Sequence, residues 1–136
     1  MIKNRSRHTV VAVEEHKCLV LIGGSDEHTP LSQCELYDAE KDLYFAFPST
    51  NIARENASSC VFRDTRGQLW VYVFGGFNKK PIDDIERIQL TFGRQGRHQV
   101  VVSKWERLKD ATMLRSVECC GVTQFSENEI VIFGGL

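Results

Sequence analysis

Three short apolar runs, each ending in a pair of glycines, dominate the pattern of hydrophobic positions along the chain. They cover residues 19–24, 71–76 and 130–135. A short apolar run that is rich in β-branched and aromatic residues and bounded by a turn signal is typical of a strand covered on both faces. The glycine pairs allow backbone angles that are closed to other residues, or the close passage of a neighbouring segment. The pairs are Gly23 and Gly24, Gly75 and Gly76, and Gly134 and Gly135. Three copies in one chain predict an internal repeat.

Shorter strand patterns fill the chain between these runs. The segments are residues 8–13, 34–37, 43–47, 57–62, 85–90, 100–108 and 118–125. Polar stretches containing proline follow the first two glycine pairs and predict surface loops at residues 25–33 and 77–84. Apolar residues nowhere hold a helical period over twelve positions. The pattern therefore predicts an all-β chain with four strands in each round and no substantial helix.

The spacing of the repeat is regular except in one connection. Gly23 and Gly75 are 52 residues apart, and Gly75 and Gly134 are 59 residues apart. An aromatic residue precedes an arginine by ten positions in both rounds, Tyr44 before Arg54 and Trp105 before Arg115. The extra length falls in residues 91–99, and surface connections tolerate such insertions.

Composition and charge exclude several functional classes. The chain is 42% apolar and 10% aromatic, which is enough to build the core of one domain. The net charge of −1 drives the chain neither onto nucleic acid nor onto an anionic membrane. The longest apolar runs have about six residues, whereas a bilayer span needs about 20. We expect a soluble, cytoplasmic chain. One basic group lacks interleaved aromatics and is interpreted as a solvated loop rather than a nucleic-acid site. It comprises Arg94, Arg97, His98 and Lys104.

The residues that could carry catalysis or bind a metal are scattered. The five cysteines form no C-x-x-C pair, and four of them lie in or beside apolar runs, where a free cysteine behaves as a small hydrophobe. The four histidines fall in four different segments, so no ligand spacing arises. No nucleophile elbow and no phosphate-binding loop is present. We predict no enzymatic activity, no metal and no cofactor.

A period of about 50 residues with four strands in each repeat is that of kelch blades. Further motif residues agree: the glycine pairs, Tyr37 with Asp38 in the third strand, Trp105 opening a fourth strand, and the arginines Arg54 and Arg115. On these residues the chain resembles the kelch family of β-propellers. It departs from the family at Tyr44, where tryptophan is usual, and at Gln89 and Leu90, where tyrosine and aspartate are expected.

The resemblance implies an incomplete kelch-type propeller of four-stranded antiparallel blades around a central channel. Residues 5–50 would form the first blade, 54–108 the second, and 115–136 the first half of a third. The strand after each arginine would line the channel, and Tyr44 and Trp105 would pack between blades. Propellers close with about four to eight blades. We therefore expect the remaining blades to come from a longer chain or from self-association.

Kelch propellers generally bind a protein partner through the loops at one rim, so the resemblance implies a non-catalytic scaffold or adaptor. The implied contact residues are Asp26, Glu27, His28, Arg54, Asn56, Asn78, Lys79, Lys80 and Arg115. Alternatively, these residues are solvated turns, and the two arginines stabilise the contact between neighbouring blades. Two further alternatives are the substrate-recognition part of a ubiquitin-ligase adaptor and a fragment of a galactose-oxidase-like copper enzyme. The chain does not supply the tyrosine and histidine ligand cluster that the copper enzyme needs.

Overall fold

The structure, a computed structural model, describes residues 1–93 and 100–136, with backbone alone for 100–102. Within these residues every regular element is a β-strand except one turn of 3₁₀-helix at Glu14–His16. The strands are paired antiparallel throughout. The prediction of an all-β, antiparallel chain is confirmed.

The first sheet contains four strands in chain order. They are β1 (Thr9–Val13), β2 (Cys18–Ile22), β3 (Cys34–Asp38) and β4 (Leu43–Phe47). Exposed and buried side chains alternate from Val10 to Val13 of β1, and only Phe47 of β4 is buried. Strand β2, the first apolar run, is apolar at every position, as expected of a strand inside a sheet. The sheet is therefore a simple antiparallel meander.

The second sheet repeats this order with a divided outer strand. It contains β5 (Ser58–Arg63), β6 (Leu69–Phe74), β9 (Asp84–Phe92), β10 (Val100–Val102) and β11 (Glu106–Thr112). Strand β9 pairs with β10 near its end and with β11 near its start, so two short strands share one edge. The predicted second blade, residues 54–108, therefore stops inside β11.

Two details differ from the predicted loops and strands. The stretch 77–84 was predicted to be a loop, but it contains a small hairpin of β7 (Phe77–Asn78) and β8 (Lys80–Pro81). The predicted strand 118–125 begins three residues later, as β12 (Gly121–Ser126). Strand β12 forms a hairpin with β13 (Glu129–Phe133). The two sheets and this hairpin do not close a ring within the described residues.

The sheets pack face to face and bury two apolar layers. The larger layer lies between the first and second sheets and includes Val20, Ile22, Val71, Val73 and Trp105. The smaller layer lies between the second sheet and the hairpin and includes Cys60, Phe74 and Ile85. Strand β6 contributes to both layers, so its two faces are covered as its apolar sequence predicts.

Strand β13 does not follow this prediction. Its side chains at Val131, Ile132 and Phe133 are 39%, 37% and 60% exposed. The cause is topological: among the described residues β13 pairs only with β12, and no further sheet packs on its outer face. The sequence of β13 is that of a buried strand, but no segment within residues 1–93 and 100–136 covers its outer face.

We call the first sheet, the second sheet and the β12–β13 hairpin, each with the segment before it, the three units. Their first strands, β1, β5 and β12, lie side by side. Three residues just before them have left-handed backbone angles: Arg7 (φ 55°), Asn56 (φ 52°) and Cys119 (φ 53°). The Asn56 amide donates to the Arg7 carbonyl at 3.0 Å, and the Cys119 amide donates to the Asn56 carbonyl at 2.9 Å. These hydrogen bonds define equivalent positions in the three units more reliably than counted spacings do.

Candidate functional site

An ion pair that is fully buried links the connection between the first two sheets to the second sheet. Arg54 Nη2 lies 2.7 Å from Glu86 Oε2, and both side chains have no exposed area. Arg54 Nη1 also donates to the carbonyl oxygen of Gly75 at 2.8 Å. The amides of Asn51 and Ile52 donate to the Glu86 carboxylate. Buried charges require such partners.

This geometry corrects the contact role predicted for Arg54. A side chain with no exposed area cannot reach a partner from the surface. Burial lowers the pKa of Arg54, while the charge of Glu86 opposes that shift. The alternative role, stabilising the contact between neighbouring sheets, fits the observed hydrogen bonds.

The same constellation occurs once more, at residues that the sequence patterns did not single out. Arg5 Nη2 lies 2.7 Å from Glu35 Oε1, and Arg5 Nη1 donates to the Gly23 carbonyl at 2.8 Å. The amides of Ile2 and Lys3 donate to the Glu35 carboxylate. A usable signal existed: Glu35 follows Gly23 by twelve residues, and Glu86 follows Gly75 by eleven.

The third unit has valine where the first two have arginine. Arg5 and Arg54 each stand two residues before a left-handed residue, and Val117 stands two before Cys119. The Gly24 amide donates to the Arg54 carbonyl at 2.9 Å, and the Gly76 amide donates to the Val117 carbonyl at 3.0 Å. The predicted equivalence of Arg54 and Arg115 is therefore wrong. The connection after Trp105 is two residues longer than the connection after Tyr44, so equal counts from the aromatics fall on different positions.

Arg115 lies on the surface. Its side chain is exposed, and it makes no hydrogen bond or ion pair with any residue that the structure describes. It is two residues away from the position of the buried arginines. Of the two predicted arginines, only Arg115 is accessible to a partner.

The first glycines of the first two pairs lie against the segment that leads to the next unit. A Cβ at Gly23 would lie 2.4 Å from the Arg54 carbonyl oxygen, and one at Gly75 would lie 2.3 Å from that of Val117. A Cβ at Gly134 would meet nothing within 4 Å. Gly23 and Gly75 therefore allow a backbone carbonyl of the next segment to approach closely, whereas Gly134 has no such neighbour among the described residues.

The loops after the first two glycine pairs lie beside the segments that precede strands β1 and β5. Ser6 and Ser25 exchange two backbone hydrogen bonds of 2.9 and 2.8 Å. Glu55 and Phe77 exchange two of 3.1 and 2.8 Å. Because backbone groups hold these segments together, the side chains between them are presented from a defined frame. We call residues 25–28, 55–56 and 77–80 the rim.

The rim side chains differ in their accessibility. Glu27, His28, Lys79 and Lys80 are exposed, whereas Asp26, Asn56 and Asn78 are half-buried. Asp26 accepts the amides of Thr29 and His28, and these hydrogen bonds hold the pKa of its carboxyl below the usual range. Asn56 Nδ2 donates to Glu118 at 3.1 Å. The rim therefore offers carboxylate, imidazole and ammonium groups to solvent.

The aromatic residues of the repeat occupy different environments. The Trp105 side chain is 4% exposed, and its Nε1 donates to the Pro48 carbonyl at 2.8 Å, so it belongs to the core. Tyr44 is 36% exposed and lies beside Tyr37, with ring centroids 4.7 Å apart. Tyr44 therefore does not pack between sheets within the described residues.

The register also corrects one aligned dipeptide. Glu35 and Glu86 are equivalent, so Tyr37 and Asp38 correspond to Ile88 and Gln89. The predicted equivalents, Gln89 and Leu90, lie one residue too late in the chain. Asp38 accepts the amides of Glu40 and Lys41 in the turn to β4, a local bond typical of aspartate in turns.

The chemistry of the remaining polar residues is modest. Burial raises the pKa of Cys60 to about 12 and that of Cys18 and Cys34 to about 11, so these thiols are not nucleophilic thiolates at neutral pH. Within residues 1–93 and 100–136, no three histidine, cysteine, aspartate or glutamate side chains gather as a metal site. Arg94, Arg97 and His98 of the basic group lie outside the described residues, and Lys104 is exposed.

The described part of the chain contains no helix that is long and apolar enough to cross a membrane. Comparison of the sequence with protein-family models and with curated proteins produced no match.

Proposed function

We propose that this chain is part of a kelch-type β-propeller and acts as a non-catalytic module that binds another protein through the rim. The remaining blades would come from a longer chain or from self-association. The observation that supports this proposal most directly is the set of exposed polar side chains on backbone segments that hydrogen-bond to one another.

The physical basis of the proposal is preorganisation. The rim segments are anchored by the Ser6–Ser25 and Glu55–Phe77 backbone pairs and, beneath them, by the buried pairs Arg5–Glu35 and Arg54–Glu86. Ordered loops lose less conformational freedom on binding than flexible ones, so more of the contact energy remains as affinity. Binding residues are commonly carried by loops on a rigid scaffold.

The repeat supports the kelch-type architecture within this proposal. A four-stranded sheet and a second sheet of the same order with a divided outer strand pack face to face, and each has a glycine doublet, a buried arginine and a glutamate at the same register. A blade-like unit of this kind cannot cover both faces alone, which favours a larger assembly of units. The five free cysteines are consistent with a reducing compartment such as the cytoplasm, which we propose as its location.

The proposal is tested by comparing two variants with the native chain in a quantitative pull-down. The rim variant carries Glu27→Ala, His28→Ala, Lys79→Ala and Lys80→Ala. The control variant carries Thr65→Ala, Arg66→Ala, Glu127→Ala and Asn128→Ala, all exposed residues in turns at the opposite ends of the strands. We expect the rim variant to lose its specific partners and the control variant to retain them, with unchanged thermal unfolding in both. Equal recovery of partners by the rim variant would reject the rim as the contact surface.

A further inference from the structure

The rim loops of the first and second units are built alike. A backbone bridge joins Ser25 to Pro30 in the first loop, and the β7–β8 hairpin joins Phe77 to Pro81 in the second. Each loop therefore ends in a short tip that projects from a closed backbone frame. We call residues 26–29 the first tip and residues 78–80 the second tip.

The two tips carry opposite charge. The first tip contains the carboxylates of Asp26 and Glu27, and the second tip contains the ammonium groups of Lys79 and Lys80. Lys3 Nζ lies 3.3 Å from Asp26 Oδ2 and compensates that carboxylate. Glu27, Lys79 and Lys80 are exposed and make no ion pair with any residue that the structure describes. The first tip is therefore negative and the second is positive.

Backbone hydrogen bonds fix the positions of the two tips relative to each other. Three backbone pairs lead from one tip to the other, and they are Ser6 with Ser25, Arg7 with Asn56, and Glu55 with Phe77. Neighbouring hydrogen-bonded segments lie about 4.8 Å apart, so three such steps separate the frames of the two tips by about 14 Å. All six residues belong to the first two units, so this arrangement depends on no other part of the chain.

The charged residues between the tips compensate each other. Arg7 Nη1 lies 3.3 Å from both carboxylate oxygens of Glu55. The Arg7 side chain is nevertheless 61% exposed, so its stem and guanidinium offer contact surface at the middle of the path. Uncompensated charge is therefore concentrated at the two tips.

We propose that the rim recognises an extended segment of its protein partner that carries a basic residue over the first tip and an acidic residue over the second tip. Because an extended chain rises about 3.3 Å per residue, these two residues would be about four to six positions apart. This inference rests on the proposed protein-binding function and specifies the chemical character of the partner.

Charge complementarity of this kind selects among partners. Complementary charges steer association and exclude wrong partners more than they raise affinity. A uniformly acidic segment would be repelled at the first tip, and a uniformly basic segment would be repelled at the second. The rim therefore discriminates against both classes by repulsion at one end.

The probe is a display library of random linear peptides that is selected against the immobilised full chain. Peptides that also bind the rim variant are discarded, so the remaining peptides depend on the rim. We expect these peptides to share one basic and one acidic residue that are separated by about four to six positions.

Reversing the charge of one tip at a time provides a sharper test. Glu27→Lys makes both tips basic and should select peptides with two acidic residues. The double variant Lys79→Glu, Lys80→Glu makes both tips acidic and should select peptides with two basic residues. Lys80→Glu alone leaves the left-handed residue 79 unchanged and should abolish the preference for an acidic residue. Lys109→Glu, on the exposed surface of β11, is the control and should select the native pattern.

Affinity gives a second measurement on the same variants. A synthetic peptide with the sequence most enriched by the native chain should bind Glu27→Lys and the double variant about three- to tenfold more weakly, because repulsion replaces attraction at one tip. Its binding to the native chain should weaken with added salt, and Lys109→Glu should bind it as the native chain does. Thermal unfolding of each variant verifies that the fold is retained.

Three results would overturn the proposal. They are the absence of rim-dependent peptides, the selection of peptides without the pair of opposite charges, and the selection of the same peptides by the native chain and by the charge-reversed variants.

The pull-down with the rim variant distinguishes this proposal from the function on which it rests. If the rim variant loses its partners but the selected peptides ignore the charges of the tips, the rim function stands and the proposed charge pattern is rejected. If the peptides follow the charges of the tips but the rim variant recovers all partners, the charge preference stands and the rim is rejected as the natural contact surface.

Discussion

At the scale of single residues, the structure depends on two buried arginine–glutamate ion pairs that are shielded from solvent. Transferring both charges from water is costly, and several hydrogen bonds from backbone amides and to carbonyls offset that cost. Such a pair contributes less to net stability than to fixing which segments meet. Here Arg5 and Arg54 each hold a connecting segment against the glycine-pair strand and the third strand of one sheet.

We predict that Arg54→Ala destabilises the chain by about 3–5 kcal/mol, because Glu86 would remain buried without its cation. Urea unfolding followed by circular dichroism measures the change. Arg115→Ala is the matched control and should alter the free energy of unfolding by less than about 0.5 kcal/mol. The double variant Arg54→Met, Glu86→Leu should lose less stability than Arg54→Ala alone. A similar loss in Arg54→Ala and Arg115→Ala would contradict this account.

Glu35 makes the stability dependent on pH. Burial alone would raise the pKa of Glu35, but the amides of Ile2 and Lys3 and the Arg5 guanidinium outweigh it and lower the pKa. Because the folded-state pKa is below the unfolded value of about 4.3, the ionised carboxylate contributes stability above that pH and loses it on further acidification.

The corresponding prediction concerns Glu35→Gln, which cannot ionise. Its stability deficit relative to the native chain should be largest near pH 7 and should shrink as the pH falls from about 4.5 toward 3. Urea midpoints at a series of pH values measure this difference. Glu127→Gln, at an exposed turn, serves as the control and should show no such trend. A deficit that is constant with pH would exclude a contribution from the Glu35 charge.

At the scale of elements, the glycine doublets connect each sheet to the next unit. The first glycine of the first two doublets has positive φ, 60° at Gly23 and 59° at Gly75, and a carbonyl oxygen lies only 2.4 and 2.3 Å from the position of an added Cβ. Because of these two conditions, any residue other than glycine at Gly23 or Gly75 would require the backbone to move. Gly134 has a φ of 71° but open space around it.

This difference predicts unequal effects of the same substitution. Gly75→Ala should cost about 2–4 kcal/mol, since it combines a left-handed alanine with a backbone collision. Gly134→Ala should cost only the conformational term of about 1–2 kcal/mol. Chemical unfolding of the two variants measures the difference. Equal losses in the free energy of unfolding would show that the close approach of the Val117 carbonyl to Gly75 does not affect stability.

At the scale of the whole molecule, apolar surface remains exposed at both ends of the stack of sheets. Val131 and Phe133 are exposed on the hairpin, and Val10 and Tyr44 on the first sheet. Contiguous exposed apolar surface favours association. By contrast, both faces of the second sheet are covered, one by the first sheet and the other by the hairpin.

We predict that the chain associates in solution and that the hairpin contributes to this association. The mass measured by light scattering should rise with concentration, and Phe133→Lys should reduce the rise because it places a charge on the open face. Thr65→Lys, in an exposed turn, should leave the rise unchanged. A concentration-independent monomer mass for the native chain would contradict the prediction.

Much of the fold was predictable from local patterns. The apolar runs at 19–24 and 71–76 were recognisable as central strands because both faces of β2 and β6 need apolar residues. The burial of Trp105 was expected only from the resemblance to the kelch family, not from an apolar pattern around it. The candidate site was predictable only in part. For Arg54 the sequence left a surface contact and a stabilising role both open, and its burial favours the second, whereas Arg5 was not recognised.

The sequence alone determined most of the strands, the repeat and most of the turns, because these follow from the pattern of apolar side chains and from the backbone freedom of glycine, both of which are local. Tertiary structure decided which arginines are equivalent, because loops of different length make residue counts unreliable, whereas hydrogen bonds between units are specific. It also decided that the apolar strand β13 is exposed and that Arg115 faces an open cavity. Burial depends on which segments are brought together from distant parts of the chain, and no local pattern contains that information.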